Sequence, residues 1–522
     1  LARGISTAVG TLIGKVSGVA QASADVTASP TLLALALVIG ILTSLVAAFI
    51  PARAAARIDP VKALQKGRFQ LLSAGENRFR AIAAGFLGLA SLLALALGGS
   101  RAIFYTSYLL VIVMAVLLTP VMCLWLARMI RPILKWIRPV EGALAADSLV
   151  QSPRRTSASV AALMLSLALV IAFAGMARSS FGSIVNWVNT ALNPDLFVLP
   201  SPEIGMRTIR FPAAMGPELA AVPGVARVQT VREARVLFRG SPVMLVAVDF
   251  ASVAETTHVA PVAGRATEMY RAASAGEGVV VSDNLAQLRH LSLGETLDIP
   301  APGGLIRLPI VGIVVHYADQ RGVIMVDRSL FQRYWHDDSV NFFRVYLTPG
   351  VTAPDAKRRI LERYAGQRRV FVLNNDEVKG YIVRITNQWF ALSYVQIAVA
   401  VFVAILGIVN TLTVSITDRR RELGVLRAVG GLKGQIRHTI WIEALGIGVL
   451  GLVLGFLLGA VNLYYILEIV RRDVIGMRFG YQFPGTVALG VIPVMLAAAF
   501  VAAWWPAELS VRGSLVEALE YE

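Results

Sequence analysis

The chain has 522 residues, of which 56% are hydrophobic and only 16% charged, and its formal net charge is +16. This composition excludes an ordinary soluble domain, in which about 25% of residues are charged. The basic residues cluster in short loops beside apolar runs, and no nucleic-acid recognition motif is present, so we do not expect nucleic acid as a partner. The single cysteine, Cys123, allows no internal disulfide.

Seven apolar runs are long enough to be membrane spans. In chain order they are residues 31–50, 81–97, 103–127, 156–176, 389–416, 439–467 and 486–505. The loops 51–80, 128–155 and 417–438 are rich in Lys and Arg, which predicts that they and the tail 506–522 are cytoplasmic. The long region 177–388 is then predicted to lie outside. Glycines in the sixth run, such as Gly451 and Gly455, are typical of close helix packing.

An internal repeat relates the two ends of the chain. At a fixed offset, Thr31 matches Thr486 and the Pro51-Ala52 pair matches Pro506-Ala507. Repeats on this scale indicate duplicated modules. We therefore predict five divisions, and because the first module has no counterpart of 417–438, we expect its earlier part to lie upstream of Leu1. The divisions are 1–66, the C-terminal remnant of a first module; 67–155, a linking pair of spans with cytoplasmic loops; 156–176, the first span of a second module; 177–388, an outer domain; and 389–522, the rest of the second module with three spans and a cytoplasmic tail.

Region 177–388 alternates strand and helix patterns, which predicts an α+β domain of two lobes. The predicted strands are Phe197–Leu199, Ala234–Phe238, Met244–Val248, Gly278–Val281, Leu305–Val315, Val323–Val326 and Val370–Leu373. The predicted helices are Pro217–Val222, Asn284–Leu291, Ala353–Tyr364 and Asp376–Asn387.

Two clusters of His and acidic residues are the only candidates for chemistry in this region. They are His316 with Asp319, and the run His336-Asp337-Asp338. Such groups can bind a metal or transfer protons, but solvated loop residues are the favoured interpretation. The sequence also has no G-x-x-x-x-G-K-[ST] phosphate-binding loop. We predict no catalytic, cofactor or metal site, and expect any ATP to be bound by a partner.

The loop 417–438 contains an amphipathic basic stretch. On a helix, Leu423, Leu426 and Val429 share one arc, while Arg420, Arg421 and Arg427 share the opposite arc. Gly430 and Gly431 can end such a helix. Spacing alone leaves two interpretations open: a handle by which something outside the membrane moves both flanking spans, or a basic loop that only sets topology.

The same stretch resembles the signature of the FtsX-like permease superfamily, which includes MacB-type and LolC/LolE-type transporters. The matching residues, in order and without gaps, are Asn410, Thr411, Arg420, Arg421, Glu422, Gly424, Leu426, Arg427, Ala428, Gly430 and Glu443. The resemblance implies a coupling helix that binds a separate ABC-type ATPase. The implied contact residues are Arg419, Arg420, Arg421, Glu422, Leu423, Leu426, Arg427, Val429 and Gly430, with Asn410 and Glu443 as supports.

The resemblance implies a membrane α-helical bundle of about seven spans with an outer domain similar to the MacB periplasmic core domain. It implies a permease of an ABC-type exporter in the bacterial inner membrane, with two modules in a dimer-like assembly and a periplasmic partner. A lipid, lipoprotein, peptide or drug-like substrate would fit. Two alternatives stay open: a signalling element that activates a cell-wall hydrolase or sensor kinase, and a membrane-anchored enzyme with its site in 177–388.

Overall fold

The computed structural model describes residues 30–56, 74–97, 100–151, 153–191, 193–202, 209–257, 259–387 and 430–512, and seven single positions between 398 and 413. Contacts between residues divide the chain into two compact units. One unit includes Gly175–Ser393 and Ile466–Gln482. The other includes Thr27–Ala174, Tyr394–Tyr465 and Phe483–Glu522.

The described helices are α1 (Pro30–Ala56), α2 (Ala74–Ala96), α3 (Arg101–Ile137), α4 (Glu141–Gln151), α5 (Pro153–Ala191), α6 (Met215–Ala220), α7 (Phe250–Thr256), α8 (Ala266–Ser274), α9 (Asp283–Arg289), α10 (Arg328–Trp335), α11 (Ala353–Tyr364), α12 (375–387), α13 (Lys433–Ile469) and α14 (Gly485–Arg512). A π-helix, Val470–Val474, follows α13. The strands are β1 (Leu196–Leu199), β2 (Val225–Phe238), β3 (Ser241–Val248), β4 (Val279–Ser282), β5 (Thr296–Ala301), β6 (Gly304–Val314), β7 (Val323–Asp327), β8 (Phe342–Leu347) and β9 (Phe371–Asn374).

Within the described residues, five helices are long and apolar enough to cross a membrane. They are Arg78–Ala96, Arg101–Ile137, Thr156–Ala191, Lys433–Val474 and Gly485–Trp504. Each corresponds to one of the predicted spans. The predicted span 31–50 lies within α1, and 389–416 falls mostly outside the described residues. The count of seven therefore stays a prediction.

Glycines on α13 bring it against α5 in the helical unit. The contacts recur every four residues and pair Gly451 with Leu163, Gly455 with Leu167 and Gly459 with Ile171. A β-carbon added to any of these glycines would lie 2.7–2.8 Å from the β-carbon of its partner, closer than atoms can pack. The predicted close helix packing is confirmed, because only glycine leaves room for the facing side chain.

The outer domain is built on a nine-stranded mixed sheet with the order β5-β6-β4-β7-β3-β2-β8-β1-β9. The long strand β2 joins two halves of this sheet. Its residues up to Val231 pair with β8, and its residues from Arg232 onward pair with β3. One chain segment therefore passes from the first lobe to the second without a break.

Each lobe has its own hydrophobic core. In the first lobe, α6 and α11 pack on β1, β8 and β9 around Met215, Phe343 and Ile360. In the second lobe, the sheet from β3 to β6 is covered by apolar side chains of α9 and α10 on one side and of α7 and α8 on the other. The predicted two-lobed α+β architecture is thus present in the outer domain.

Several elements of the outer domain were missed by sequence reasoning. The helices α7, α8 and α10 have seven to nine residues, and helices this short are stable only when packed. Strand β8 was missed because its alternation is broken: Phe343 and Val345 face one core, while Arg344 lies between Phe342 and Tyr346 on the other face. Tertiary contacts, rather than local pattern, select these elements.

Candidate coupling site and the outer-domain latch

Most of the predicted coupling site lies outside the described residues. This applies to Asn410 and to every predicted contact residue from Arg419 to Val429. The last predicted contact residue, Gly430, is described and has φ +104°, a backbone conformation that glycine adopts readily and other residues rarely adopt. Such a residue commonly follows the end of a helix. The coupling helix itself stays a prediction.

The residues after Gly430 form a well-defined start to α13. The side-chain oxygen of Gln435 accepts a hydrogen bond from the Leu432 backbone N–H at 3.1 Å, and the Gln435 N–H donates to the Leu432 carbonyl at 3.0 Å. These bonds satisfy backbone groups that a helix N-terminus otherwise leaves unpaired. The chain leaving the predicted coupling helix therefore enters α13 at a fixed position.

An aromatic cluster joins this end of α13 to α14. The Trp441 ring lies 4.8 Å from the Phe500 ring, and the Arg437 guanidinium lies 5.1 Å from the centre of the Trp441 ring. Arg437 also approaches Glu508 at 3.8 Å. Aromatic pairs and cation–π contacts each add about 0.5–1.5 kcal/mol. A displacement at the start of α13 would therefore be shared by α14.

Glu443, the predicted support residue, is buried on α13 with 4% of its surface exposed. A solvated position of the Glu443 side chain, which is the alternative to a supporting role, does not agree with this burial. Ionisable residues buried in helices of a membrane protein are rare and costly. Whether Glu443 supports the coupling helix stays a prediction, because Asn410 lies outside the described residues.

The His336-Asp337-Asp338 run lies at the boundary of the two lobes. His336 has φ +50° and ends α10. Asp337 is not a solvated loop residue: it accepts hydrogen bonds at 3.0 and 2.7 Å from Arg232, the β2 residue at which the lobes meet. Arg232 is 5% exposed and also donates to Asn341 at 2.9 Å. The solvated interpretation is wrong for Asp337, because the buried Arg232 needs a counter-charge, whereas His336 and Asp338 are exposed as predicted.

Ionisation of Asp337 is tuned by this network. Burial by itself would raise the pKa of Asp337, but hydrogen bonds from Ser339 and Arg232 outweigh it and hold the pKa at about 2. The bonds to Asp337 from Ser339 measure 2.9 Å from the backbone nitrogen and 2.6 Å from the hydroxyl. Asp337 is therefore a structural anion that ties the two lobes together.

The second cluster is also structural. Asp319 is 8% exposed and lies 2.6 Å from Arg235 of β2, and the His316 ring packs edge-on against Trp187 of α5 at 5.2 Å. Among the described residues, no group of three or more His, Cys, Asp or Glu side chains is placed to hold a metal ion. Asp319 thus pairs with strand β2, and His316 packs on the end of α5.

A feature that sequence reasoning missed is the segment 476–482, between the π-helix and α14, which we call the latch. The latch lies along α5: the Gly480 N–H donates to Ser183 Oγ at 2.9 Å, and the Gln482 N–H donates to Ser179 Oγ at 2.9 Å. Gly182 of α5 leaves room for the Gln482 side chain, whose amide would lie 2.6 Å from an added β-carbon.

The latch also contacts the outer domain on its other side. The Tyr317 hydroxyl donates to the Arg478 carbonyl at 2.6 Å, and the Tyr317 ring stacks on Phe479 at 5.8 Å. Gly476 has φ +70° and packs so closely on α9 that an added β-carbon would lie 2.6 Å from the Asn284 carbonyl oxygen. From sequence this segment is only a short loop, and its partners are about 160 to 300 residues away in the chain.

Comparisons with known families agree with this architecture. Residues 394–515 match the FtsX-like permease C-terminal family, and residues 156–363 match the MacB-like periplasmic core domain family. Together they confirm the resemblance to the FtsX-like permease superfamily and to the MacB-like periplasmic core domain.

Similar proteins include ABC transporter permeases. An uncharacterized ABC transporter permease protein of Mycobacterium tuberculosis is 24% identical over 371 residues, which are 70% of this chain and 43% of that protein. The macrolide export ATP-binding/permease protein MacB of Sodalis glossinidius is 25% identical over 50% of this chain and 41% of its own length. The chain thus spans less than half the length of these relatives. The periplasmic region of MacB from Actinobacillus actinomycetemcomitans aligns with 38% of this chain and 97% of its own length at 14% identity, with a TM-score of only 0.29.

Proposed function

We propose that the chain is a permease subunit of an ABC-type exporter, in which a partner ATPase drives motion of the outer domain through the coupling helix. Residues Arg419 to Gly430 contact the ATPase, and Leu423, Leu426 and Val429 supply the buried face of that contact. ATP is bound by the partner rather than by this chain.

The observation that carries the proposal is the glycine-mediated contact between α13 and α5. The coupling signature leads directly into α13, which begins at Lys433. Because α13 packs closely on α5 at Gly451, Gly455 and Gly459, we expect a displacement of α13 to move α5 with it. Helix α5 continues to Ala191, five residues before the first strand of the outer domain. A displacement at Gly430 thus has a continuous covalent and packed route to the outer domain.

The proposed cargo is a drug-like molecule or another amphiphile that is handled outside the membrane. The relatives include macrolide exporters, and an apolar groove of about 410 Å³ is lined by side chains that include Ile405, Val409 and Val501. In this proposal the work on the cargo is delivered by movement of the outer domain.

Substitution of Leu426 by Asp tests the coupling contact. A charge in the apolar face of the helix removes a buried side chain and places an unpaired carboxylate in the interface, at a cost of about 3–5 kcal/mol. We expect at least a hundredfold loss of ATPase binding, measured by co-purification and by surface plasmon resonance on the nanodisc-embedded chain. Membrane insertion should be unchanged.

The matched control is Leu237→Asp, which changes an exposed leucine of β2 in the outer domain, where 63% of the side chain is accessible. This variant should bind the ATPase like the native chain. Equal binding by the Leu426→Asp variant and the control would contradict the proposed contact. Accumulation of a labelled macrolide in cells that express either variant gives the corresponding readout for export.

A further inference from the structure

A buried carboxyl of the outer domain, that of Asp283, lies at the start of α9. Only 5% of Asp283 is exposed, and neither carboxylate oxygen accepts a well-formed hydrogen bond among the described residues; the nearest donors are the backbone N–H groups of Asn284 and Arg478. Its neighbour Asn284 is fully buried, donates to the Asp319 carbonyl at 2.9 Å, and leaves its own side-chain oxygen unpaired. A buried, unpaired carboxylate costs several kcal/mol in its ionised form.

The latch packs at this position. Gly476 lies directly against Asn284 and Leu288, and the Arg478 guanidinium is close enough to Asp283 to act on its ionisation. The next residue along, Phe479, stacks on Tyr317. Release of the latch would therefore expose the Asp283 carboxyl to water, whereas the docked latch excludes solvent from it.

We propose that Asp283 is a proton-binding site that controls the latch: protonation of its carboxyl favours the docked segment 476–482, and ionisation favours its release. The inference stands on the position of this buried carboxyl beneath the latch, whose Gly476 packs on the neighbouring Asn284. It does not depend on the identity of the ATPase or of the exported molecule.

The charged and titratable groups around Asp283 are few. The latch contributes Arg478, and the connection between β6 and β7 contributes Tyr317, His316 and Asp319, of which Asp319 is already paired with Arg235. The π-helix packed on α9 contributes Asp473, Arg471 and Arg472, and both arginines bind Glu468. Among the described residues Asp283 forms no ion pair, and the latch presents both the backbone N–H and the charge of Arg478 to its carboxyl.

The pKa of Asp283 sets the pH range in which the latch responds. Burial raises the pKa of Asp283 to about 6, and the Arg478 charge and neighbouring backbone N–H groups oppose the rise only in part. With the latch released, the solvated carboxyl would return towards its ordinary pKa of about 3.9. The docked state then binds the proton more tightly, so docking is favoured at low pH and is lost as the pH rises through about 6. Between pH 7.5 and pH 5 the docking equilibrium should change by about tenfold.

Hydrogen–deuterium exchange of the full chain in nanodiscs tests this proposal. The amides of Gly480 and Gln482 donate to serines of α5 only when the latch is docked, so they report on it directly. After correction for intrinsic exchange, we expect protection of peptides from 476–482 to be about tenfold greater at pH 5 than at pH 7.5. In Asp283→Asn, protection should be high and the same at both pH values.

Two further variants keep the test decisive. Arg478→Gln removes an exposed charge that lowers the pKa of Asp283, so the midpoint of the response should move to higher pH. Asp298→Asn, at an exposed carboxylate of β5, should respond like the native chain. Equal protection of the native latch at pH 5 and 7.5, or an undiminished response in Asp283→Asn, would overturn the proposal. So would protection that rises with added Ca²⁺ but not with protons, because the carboxyl would then be a cation site.

Discussion

Arg232 occupies the point at which β2 leaves one lobe of the outer domain and enters the other. Its guanidinium is buried and bonded to Asp337 and Asn341, and it lies 5.7 Å from the Phe331 ring centre. Arg328, also buried, donates to the Ser339 carbonyl at 3.0 Å. A buried arginine of this kind contributes to stability only while its partners stay in place.

Replacement of Asp337 by Asn should therefore destabilise the outer domain. The substitution leaves Arg232 buried without a counter-charge, at a cost of about 3 kcal/mol, which corresponds to a fall of about 6–12 °C in Tm for a domain of this size. Because the pKa of Asp337 is lowered to about 2, its stabilisation is present above pH 4 and is lost between about pH 4 and 2. Calorimetry of the solubilised chain should show this loss in the native protein and not in the variant.

Glu268→Gln provides the matched control for this measurement. Glu268 pairs with Arg265 on the surface, where the two side chains are 60% and 77% exposed. Exposed ion pairs contribute about 0–1 kcal/mol, so the variant should unfold within about 3 °C of the native chain. Equal changes in Tm for Asp337→Asn and Glu268→Gln would show that Asp337 does not stabilise the outer domain.

At the scale of elements, the close contact between α5 and α13 depends on the absence of side chains at the glycines of α13. Leucine and isoleucine side chains of α5 occupy the space that β-carbons of α13 would otherwise fill. Polar contacts in the helical unit act at single points, as where the hydroxyls of Ser107 and Tyr465 lie 2.8 Å apart. The glycine contacts therefore determine the separation of the two helices along several turns.

We expect Gly455→Leu to disrupt this helix pair. The new side chain would overlap Leu167, and overpacking of this kind costs about 1–3 kcal/mol or forces the helices apart. The variant should lose monodispersity on solubilisation and show a lower Tm, with Gly455→Ala intermediate. Gly490→Leu is the control, since nothing lies within 4 Å of a β-carbon at that position on α14. Equal stability of the two leucine variants would exclude the close contact.

At the scale of the whole molecule, the excess of basic residues predicts its orientation. The net charge of +16 is concentrated in loops that alternate along the chain. The comparisons support a multi-pass membrane protein with a large extracytoplasmic domain, to which 177–388 corresponds. The charge pattern predicts that the coupling helix lies on the cytoplasmic side.

Cysteine labelling of intact cells measures that side directly. We expect Arg421→Cys to resist a membrane-impermeant maleimide and to react after permeabilisation, because the basic loop 417–438 is predicted to be cytoplasmic. Gln320→Cys, at an exposed position of the outer domain, should react without permeabilisation. The native Cys123 is 2% exposed and gives a low background. Labelling of Arg421→Cys from outside would contradict both the orientation and the proposed contact with an ATPase.

Sequence by itself determined the membrane character of the chain, five spans that the structure describes as helices, and the two-lobed outer domain. These follow from apolar length and from local patterns such as Arg239-Gly240 between two strands, which the structure confirms as the β2–β3 turn. The coupling residues from Arg419 to Val429 rest on sequence alone. Local pattern was sufficient for these features because apolar length, helix and strand periodicity and turn residues are properties of neighbouring residues.

Only the tertiary structure decided which polar groups are buried and which segments meet. The roles of Asp337 and Asp283 depend on partners more than 100 residues away in the chain: Arg232 for the first, and the latch for the second. Short elements such as α10 were likewise selected by packing of Phe331 in the second lobe's core. The physical reason is that the energy of a charge is set by its surroundings in space, which the order of residues does not display.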